Sequence, residues 1–223
     1  MRVLRRPASF VRDYEGARVD DALPWRAAEF IALDFEATGL DLRADEVISY
    51  GLVPIRAGRM LVGAQEYSLV RPSMPVPGAS SRVHRIRNRD LDDAPPAIEV
   101  AEALIRSCTG RVLVAHAAWV EVAFLKRLFR LHGAHWRTPV VDTAALARGV
   151  GLAPRIASRE PSLEALAMEL GVPVHDPHHA LGDALTTAQV FLVLAARLER
   201  ARGGTLDVGA LCNTTREFPL LVP

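Results

Sequence analysis

The order of strand-like and helix-like segments is the feature that most constrains how this chain folds. Between residues 30 and 70 the apolar segments are short, rich in Val, Ile, Phe and Tyr, and separated by turns, which is typical of strands. From residue 95 onward, such segments alternate with segments that repeat apolar residues every three or four positions, as helices do. A meander of strands followed by this alternation predicts a mixed sheet covered by helices. We therefore expect one α/β or α+β domain.

The individual elements follow from the same patterns. The predicted strands comprise residues 30–35, 47–56, 60–70, 111–115 and 139–141. The predicted helices comprise residues 97–108, 119–131, 162–171 and 180–202. Asp142 is placed to cap a further helix after the last strand. The main domain then spans 29–202, between an N-terminal extension at 1–28, an arm or irregular helix, and a C-terminal tail at 203–223, an ordered coil.

Composition narrows the class of protein. A chain of 223 residues, half of them hydrophobic, buries a core without disulfides or structural metals. Cys108 and Cys212 give no zinc-site or disulfide spacing. The longest apolar run, Val190 to Ala196, is too short to span a bilayer, and the first residues lack the apolar stretch of a signal peptide. We expect a soluble cytoplasmic protein.

The charge distribution is less informative. A formal net charge of +1 does not mark a strong binder of polyanions. One basic cluster falls within eight residues and contains Arg82, His84, Arg85, Arg87 and Arg89. Such a cluster can hold phosphates, but a solvated loop in an arginine-rich chain explains it equally well.

Two carboxylates end the first predicted strand. Residues two apart on a strand face the same side, so Asp34 and Glu36 point together, just before a turn at Thr38 and Gly39. Neighbouring carboxylates resist ionisation unless a cation lies between them. Oxygen ligands suit a hard ion such as Mg²⁺ or Mn²⁺. An ordinary acidic pair at a strand end is the alternative that this segment alone leaves open.

A histidine and an aspartate surround the start of the longest predicted helix. Asp183 lies in its first turn, and His178 lies five residues earlier in the preceding loop. A loop imidazole beside a metal-bound carboxylate suits a general base that acts on water. Alone, Asp183 is explained as a favourable charge at a helix N-terminus. A zinc site built from His178, His175 and His179 is a further alternative, but no suitable ligand scaffold is evident.

The remaining chemistry-bearing segment follows the fourth predicted strand and runs from His116 to Leu125. Glu121 lies early in its helix, whose Phe124 is expected in the core. Trp119 is placed to stack on a base, although a buried tryptophan is the commoner case. Considered alone, Glu121 is explained equally well as a solvated glutamate in a first helical turn. The prediction of a catalytic site therefore depends on all three segments together.

These three segments resemble the DEDDh family of 3′–5′ exonucleases, which includes the proofreading subunit of bacterial replicative polymerases, ribonuclease T and oligoribonuclease. That family has an Asp-x-Glu-x-Thr-Gly strand, a His-Asn-x-x-Phe-Asp-x-x-Phe-Leu helix and a His-x-x-x-x-Asp helix start. The corresponding segments here are 34–40, 116–125 and 178–183. Lesser similarities lie at 83–86, 141–143, 163–171 and 183–188. The resemblance covers about residues 30 to 197, most of the chain.

The resemblance implies a ribonuclease-H-like fold, an α/β arrangement with a mixed five-stranded sheet flanked by helices. It implies two Mg²⁺ or Mn²⁺ ions, with His178 as the general base. The residues it assigns to the metal ions are Asp34, Glu36, Glu121 and Asp183. Backbone around Thr38 and the side chain of Leu40 would receive the 3′-terminal nucleotide. The other candidates for substrate contact are Gly39, His116 and Trp119.

Four positions depart from the family pattern. Glu121 replaces the usual aspartate and is one methylene longer. The other departures are Ala117 for asparagine, Val120 for phenylalanine and Arg85 for glycine. Because a longer acidic side chain meets a second metal ion with altered geometry, we hypothesise reduced activity, or a preference for Mn²⁺, whose coordination tolerates distortion better.

The sequence thus predicts a metal-dependent 3′–5′ exonuclease that releases nucleoside 5′-monophosphates. Single-stranded 3′ ends are favoured, because a terminal base must be splayed for its phosphate to reach a recessed metal pair, and DNA is favoured over RNA. A DNA polymerase partner and a homodimer are the two assemblies considered, and the sequence does not decide between them and a chain that works alone. No membrane is expected. Two alternatives stay open: a weakly active or inactive exonuclease-fold protein that binds nucleic acid or a polymerase, and an unrelated α/β phosphohydrolase of small nucleotides.

Overall fold

A mixed sheet forms the centre of the molecule in the computed structural model, which describes residues 7–153 and 161–217. The strands are β1 Glu29–Ala37, β2 Val47–Arg56, β3 Arg59–Met60, β4 Glu66–Leu69, β5 Val112–Ala115 and β6 Val140–Asp142. The helices are α1 Ser9–Gly16, α2 Gly78–His84, α3 Ala97–Cys108, α4 Trp119–Arg130, α5 Thr143–Gly149, α6 Leu163–Leu170, α7 Ala180–Arg202 and α8 Val208–Glu217. Short 3₁₀ helices lie at Trp25–Ala27, Val62–Ala64 and Asn88–Asp90.

Strand β1 is the middle strand of the sheet. It pairs antiparallel with β2 and parallel with β5, which in turn pairs parallel with β6. Both β3 and β4 pair antiparallel with β2, on its other edge. Because β3 and β4 share one edge of β2, the six strands occupy five positions across the sheet, the width that the family resemblance implied. The prediction of one continuous strand at 60–70 is wrong, because the 3₁₀ helix Val62–Ala64 divides it into β3 and β4.

Alternate residues of β1 enter two separate cores. Phe30 and Ala32 pack with α5, α6, α7 and α8 on one face of the sheet, whereas Ile31 and Leu33 pack with α1, α3 and α4 on the other. Because side chains alternate along a strand, Asp34 continues the series that faces α7. The hydrophobic pattern of β1 thus decides which face receives its acidic residues.

The prediction of a coil after residue 203 is wrong. Helix α8 packs against β6 and α5 and buries Leu211 and Cys212. The side chain of Asp207 accepts a hydrogen bond from the Ala210 N–H at 2.7 Å, at the start of this helix. Residues 218–223 of the predicted tail lie outside the described residues. In the N-terminal extension, α1 is a regular helix that buries Phe10, Val11 and Tyr14.

Helix α7 combines length with low polarity. It has 23 residues, and by length and composition alone it is able to cross a membrane. In this molecule 61% of its most apolar window is buried, and its apolar residues pack against the sheet. This is the position of a core helix, so the apolar pattern of α7 is explained by the fold.

Candidate active site

Three carboxylates from two elements meet at the C-terminal end of β1. Asp34 and Glu36 come from β1, and Asp183 comes from the first turn of α7. Each offers one oxygen, and these three oxygens lie within 4.8 Å of one another. The structure therefore brings together residues that are far apart in the sequence, as the sequence analysis expected.

A glycine allows α7 to come this close to the sheet. Gly51 of β2 pairs with Asp34 across the β1–β2 ladder. A Cβ atom at Gly51 would lie 2.3 Å from the backbone of Leu181, much closer than any packing contact allows. The first turn of α7 consequently rests directly on β2, one strand from Asp34. This contact carries Asp183 to the end of β1.

Glu121 joins this group from α4. It is 5% exposed, and its charge is among the causes that raise the pKa of Asp34, so the two carboxylates are neighbours. Glu121 does not belong to the set of three oxygens within 4.8 Å. Its Oε2 atom is buried without a hydrogen-bond partner among the described residues, and the same holds for Oδ1 of Asp183.

Asp142 holds the helix that carries Glu121. Its carboxylate accepts hydrogen bonds from the N–H groups of Ala117 at 3.1 Å, Ala118 at 3.2 Å and Ala144 at 2.8 Å. The bond to Ala144 confirms the predicted N-cap of α5. The two bonds to the start of α4 were missed, because nothing in the local sequence shows that the two helix N-termini meet.

The acidic cluster strongly disfavours its own ionisation. Burial raises the pKa of Asp34 well above its usual value, and the charges of Glu121, Asp183 and Glu36 raise it further. Burial also raises the pKa of Glu36 to about 8, with a contribution from Asp183, and that of Glu121 to about 8, with contributions from Asp142 and Glu36. For Asp183, burial raises the pKa to about 6, partly opposed by the hydrogen bond from His178. Near neutral pH the cluster needs either protons or a cation.

The donor set fits divalent cations. Carboxylate oxygens are the ligands that hard ions such as Mg²⁺ and Mn²⁺ prefer. Two of these oxygens, on Glu121 and Asp183, are buried without protein partners in the described part of the chain, which is costly unless another group binds them. Asp34, Glu36 and Asp183 are the residues placed to share an ion, with Glu121 adjacent to Asp34.

His178 lies beside this cluster, on the loop before α7. Its backbone N–H donates to a carboxylate oxygen of Asp183 at 3.0 Å, while its side chain is exposed. The backbone of His178 has a φ of 61°, in the left-handed region. The imidazole is therefore next to the carboxylates and accessible to water.

The two neighbouring histidines have structural partners. His175 contacts Gln189 through its ring and donates its backbone N–H to Thr186 at 3.0 Å. His179 stacks on Tyr67 of β4, with ring centroids 4.5 Å apart. Among the described residues, the group able to bind a metal ion is the acidic one. These contacts give no support to a zinc site built from His175, His178 and His179.

The turn after β1 is firmly tied to its surroundings. The Thr38 hydroxyl donates to Asp45 at 2.7 Å and accepts from the Glu46 N–H at 3.0 Å, and the Thr38 carbonyl accepts from the Ser80 hydroxyl of α2. Gly39 lies against Asp45 so closely that a Cβ atom would meet its carboxylate at 2.4 Å. Leu40, at the tip, is 76% exposed. The turn is thus a fixed support with an apolar side chain presented to solvent.

The two other predicted contact residues occupy different environments. His116 accepts from or donates to the Thr143 hydroxyl through Nδ1 at 2.8 Å, and its Nε2 reaches the Pro161 carbonyl at 2.7 Å. Because a carbonyl only accepts, the proton of the neutral ring lies on Nε2, and His116 is held in a structural position. Trp119 is half-buried at the start of α4, and its Nε1 lacks a partner within the described ranges.

Tyr67 is a site residue that the sequence analysis missed. It lies opposite Gly51 in the β2–β4 ladder, and the charge of Glu36 contributes, after burial, to raising its pKa. Its ring also carries His179, next to His178. A tyrosine in a strand-like segment predicts only strand propensity, so no sequence signal pointed to this position.

Comparison with known proteins agrees with this geometry. The model of the Exonuclease family RNase_T matches residues 31–191. The chain is similar to a DNA polymerase III subunit epsilon-like protein of Rhodobacter capsulatus, with 36% identity over 86% of this chain and 27% of that protein. It is also similar to a PolC-type DNA polymerase III of Thermotoga maritima, with 34% identity over 88% of this chain and 14% of that protein. The chain thus spans 27% and 14% of the length of these two relatives.

A solved structure of exonuclease X in complex with 5′ overhanging duplex DNA has the same fold. Its TM-score is 0.64 with 21% identity, and the match covers 83% of this chain and 99% of that chain. An identity this low supports the fold alone. The predicted fold, a mixed sheet flanked by helices, is confirmed by this likeness.

Proposed function

Since this chain belongs to the Exonuclease family, we propose that it is a metal-dependent 3′–5′ exonuclease that hydrolyses the terminal phosphodiester of a polynucleotide. The products are nucleoside 5′-monophosphates. The proposal rests on the chain's own carboxylates as well as on its family, because a family member that had lost its acidic residues would keep the fold without the chemistry.

One observation supports this proposal above the others. Oxygens of Asp34, Glu36 and Asp183 converge within 4.8 Å at the end of a strand, and buried oxygens of Glu121 and Asp183 lack partners in the described structure. A protein does not keep unpaired buried carboxylates for stability. Binding of divalent cations is the role that best explains their arrangement.

Each residue has a part in the proposed reaction. Divalent ions, when bound, supply positive charge that stabilises the attacking and leaving oxygens of the phosphodiester. Asp34, Glu36, Asp183 and Glu121 would hold them. His178, exposed beside Asp183, accepts the proton of the attacking water. The rest of catalysis is positioning and electrostatic stabilisation, as phosphoryl transfer requires.

The proposed substrate is a single-stranded 3′ end, with DNA preferred over RNA. The fixed turn at Thr38 and Gly39 supports Leu40, whose exposed side chain is placed to contact the terminal nucleotide. Trp119 is a second candidate contact. A net charge of +1 fits modest, salt-sensitive affinity with little sequence specificity.

A DNA polymerase is the proposed partner, because the relatives described above are named as DNA polymerase III proteins. A homodimer remains a prediction from the sequence analysis, as does a cytoplasmic location. The same holds for the division into an extension at 1–28, an exonuclease domain at 29–202 and a tail at 203–223.

Glu121 gives the proposal a specific form. The buried Oε2 atom, which has no hydrogen-bond partner among the described residues, belongs to a side chain one methylene longer than the aspartate of the family pattern. We propose that the longer arm favours Mn²⁺ over Mg²⁺. Rates of wild type and Glu121→Asp, each measured in Mg²⁺ and in Mn²⁺, test this: equal full-rate turnover of both proteins in Mg²⁺ would contradict it.

A 5′-labelled single-stranded oligonucleotide, as DNA and as RNA, tests the function itself. Incubated with Mg²⁺, Mn²⁺ or EDTA, it is expected to shorten stepwise from its 3′ end in the presence of metal and to stay intact in EDTA. A protein that binds the oligonucleotide but never shortens it would be an inactive exonuclease-fold protein. Cleavage of small phosphodiesters without stepwise shortening would instead indicate a small-molecule phosphohydrolase.

A further inference from the structure

A cleft of about 260 Å³ lies beside His178, outside the acidic cluster. Its lining includes Tyr67, His84, Arg85, His178 and His179. The proposed reaction uses only His178 of these residues. The volume is below the roughly 300–1,000 Å³ of typical small-molecule pockets, so the cleft suits a small group such as a phosphate with its sugar.

Arg85 occupies an unusual backbone conformation in this cleft. It follows the last turn of α2 with a φ of 64°, in the left-handed region that glycine adopts without cost. The family pattern has glycine at this position, so this chain replaces the favourable residue with a strained one. Backbone strain of this kind is concentrated at functional sites. The side chain of Arg85 is therefore the feature to explain.

The side chain of Arg85 is exposed, unlike that of its neighbour His84. Arg87 and Arg89, in the same basic cluster, both contact the carboxylate of Asp90, at 3.1 Å and 3.7 Å. No salt bridge to Arg85 is found in the described part of the molecule, although Asp90 and the exposed Asp176 also line the cleft. Among the described residues, Arg82 and Arg85 of this cluster thus have no salt bridge, and of these two Arg85 is the one that lines the cleft.

His84 supplies a second donor. It is 6% exposed, and its Nδ1 accepts a hydrogen bond from the Ile86 N–H at 3.1 Å. The proton of the neutral ring therefore lies on Nε2, and burial lowers the pKa of His84, which favours this neutral form. That Nε2 has no hydrogen-bond partner within residues 7–153 and 161–217. A buried N–H donor without an acceptor is uncommon in folded proteins, and the His84 side chain lines the cleft.

We propose that this cleft is an accessory phosphate subsite, in which Arg85 and the His84 Nε2–H bind a phosphodiester of the polynucleotide other than the scissile one. Guanidinium groups bind phosphate oxygens through paired hydrogen bonds, and a neutral N–H donor completes such a site. The inference rests on the proposed function, since it assigns a second contact to the same substrate. The exchange of glycine for arginine at residue 85 then gives this chain a phosphate contact that the family pattern lacks.

The variant Arg85→Gly tests the subsite without endangering the fold. Because glycine suits the left-handed conformation, its melting temperature is expected to equal or exceed that of wild type. Relative to a small chromogenic phosphodiester of thymidine 5′-monophosphate, kcat/KM for a single-stranded oligonucleotide is expected to fall about tenfold. The slope of log(kcat/KM) against log[KCl] is expected to become shallower by about 0.7, one phosphate contact on a single strand.

Two controls sharpen this test. Arg85→Lys keeps the charge and the strain, and is expected to preserve the salt slope with a smaller loss of kcat/KM. Arg197→Ala removes an exposed arginine about 21 Å along α7 from Asp183, and is expected to match wild type. A salt slope and oligonucleotide preference of Arg85→Gly equal to wild type would overturn the proposal.

Direct binding separates this inference from the proposed function. Fluorescence anisotropy of a labelled oligonucleotide in EDTA measures the contact without turnover. If wild type hydrolyses neither substrate, the proposed function fails, yet weaker and less salt-sensitive binding by Arg85→Gly still supports the subsite. If both proteins hydrolyse and bind the oligonucleotide equally, the function stands and the subsite does not.

Discussion

Asp142 and the acidic cluster around Asp34 lie at the same end of the sheet and differ in their hydrogen bonds. Asp142, 4% exposed, accepts three backbone N–H groups from the starts of α4 and α5. The cluster around Asp34 has few such donors, and buried oxygens of Glu121 and Asp183 have no partner among the described residues. The protein supplies hydrogen-bond donors to Asp142, whereas the described residues leave oxygens of Glu121 and Asp183 without donors and available to a cation.

The difference separates a structural acid from functional ones. A buried carboxylate with its hydrogen bonds made stabilises the chain segments that it joins. A buried carboxylate without them destabilises the protein unless a cation binds. Asp142 positions the helix that carries Glu121. The hydrogen-bonded carboxylate therefore helps to place one of the carboxylates in the acidic cluster.

The largest effect is expected for Asp34→Asn. Removing one charge from the metal cluster should reduce exonuclease turnover by about a thousandfold or more, equivalent to about 4 kcal/mol of transition-state stabilisation. The metal-free variant should be at least as stable as wild type, because a repelling carboxylate has gone. Turnover of a 3′-end substrate and thermal melting in EDTA measure both. A variant with native turnover would place the site elsewhere.

Asp142→Ala should lower the stability of the protein, whereas Asp34→Asn should not. It leaves three backbone donors without their acceptor, and we expect a loss of about 3 kcal/mol in the free energy of unfolding, measured by urea denaturation. Asp142→Asn is the matched control, since asparagine also caps helices and should lose less. Stability of Asp142→Ala equal to wild type would show that this carboxylate is not structural.

The stability of the metal-free protein should depend on pH because the acidic cluster resists ionisation. Glu36 and Glu121 have pKa values of about 8 in the folded protein, raised from 4.5. Between these values the folded state binds more protons than the unfolded chain, so stability falls as the pH rises from about 5 to 8. In EDTA the melting temperature should drop by several degrees, on the order of 5 °C, over this range. Adding Mn²⁺ should remove most of the drop, and a flat profile in EDTA would contradict the raised pKa values.

The smallest effect on stability is expected at Ala117, which lies between Asp142 and the helix that carries Glu121. Ala117, whose N–H binds Asp142, has a φ of 53°, where the family pattern has asparagine. Ala117→Gly should stabilise the protein by about 0.5–1 kcal/mol, because relief of the left-handed strain exceeds the added entropy of the unfolded chain. Ala57→Gly, at a φ of 52° in the β2–β3 turn, is the matched control and should give a similar gain. A loss of stability on Ala117→Gly would show that the alanine is not strained.

Much of the fold was predictable where a local pattern and the packing agree. The alternation in β1 set the direction of Asp34 and Glu36, and the apolar repeat of α7 set its length. The cap at Asp142 followed from its place after a strand. In each case residues close in the sequence carry the information.

The rest depends on contacts between distant segments. Gly51 matters because α7 lies on it, and Tyr67 matters because His179 stacks on it. Helix α8 is short and follows two glycines, so its burial against β6 and α5 decides its conformation. The hydrogen bonds of Asp142, and their absence at Oε2 of Glu121 among the described residues, likewise depend on distant segments and were not predictable.

Calorimetric titration of Mn²⁺ into the metal-free protein at pH 7, in two buffers of different ionisation enthalpy, tests the central claim most directly. We predict saturable binding that releases at least one proton, and about two if Glu36 and Glu121 both deprotonate, with binding strongly weakened in Asp34→Asn. Absence of binding, or binding without proton release that Asp34→Asn leaves unchanged, would contradict the account.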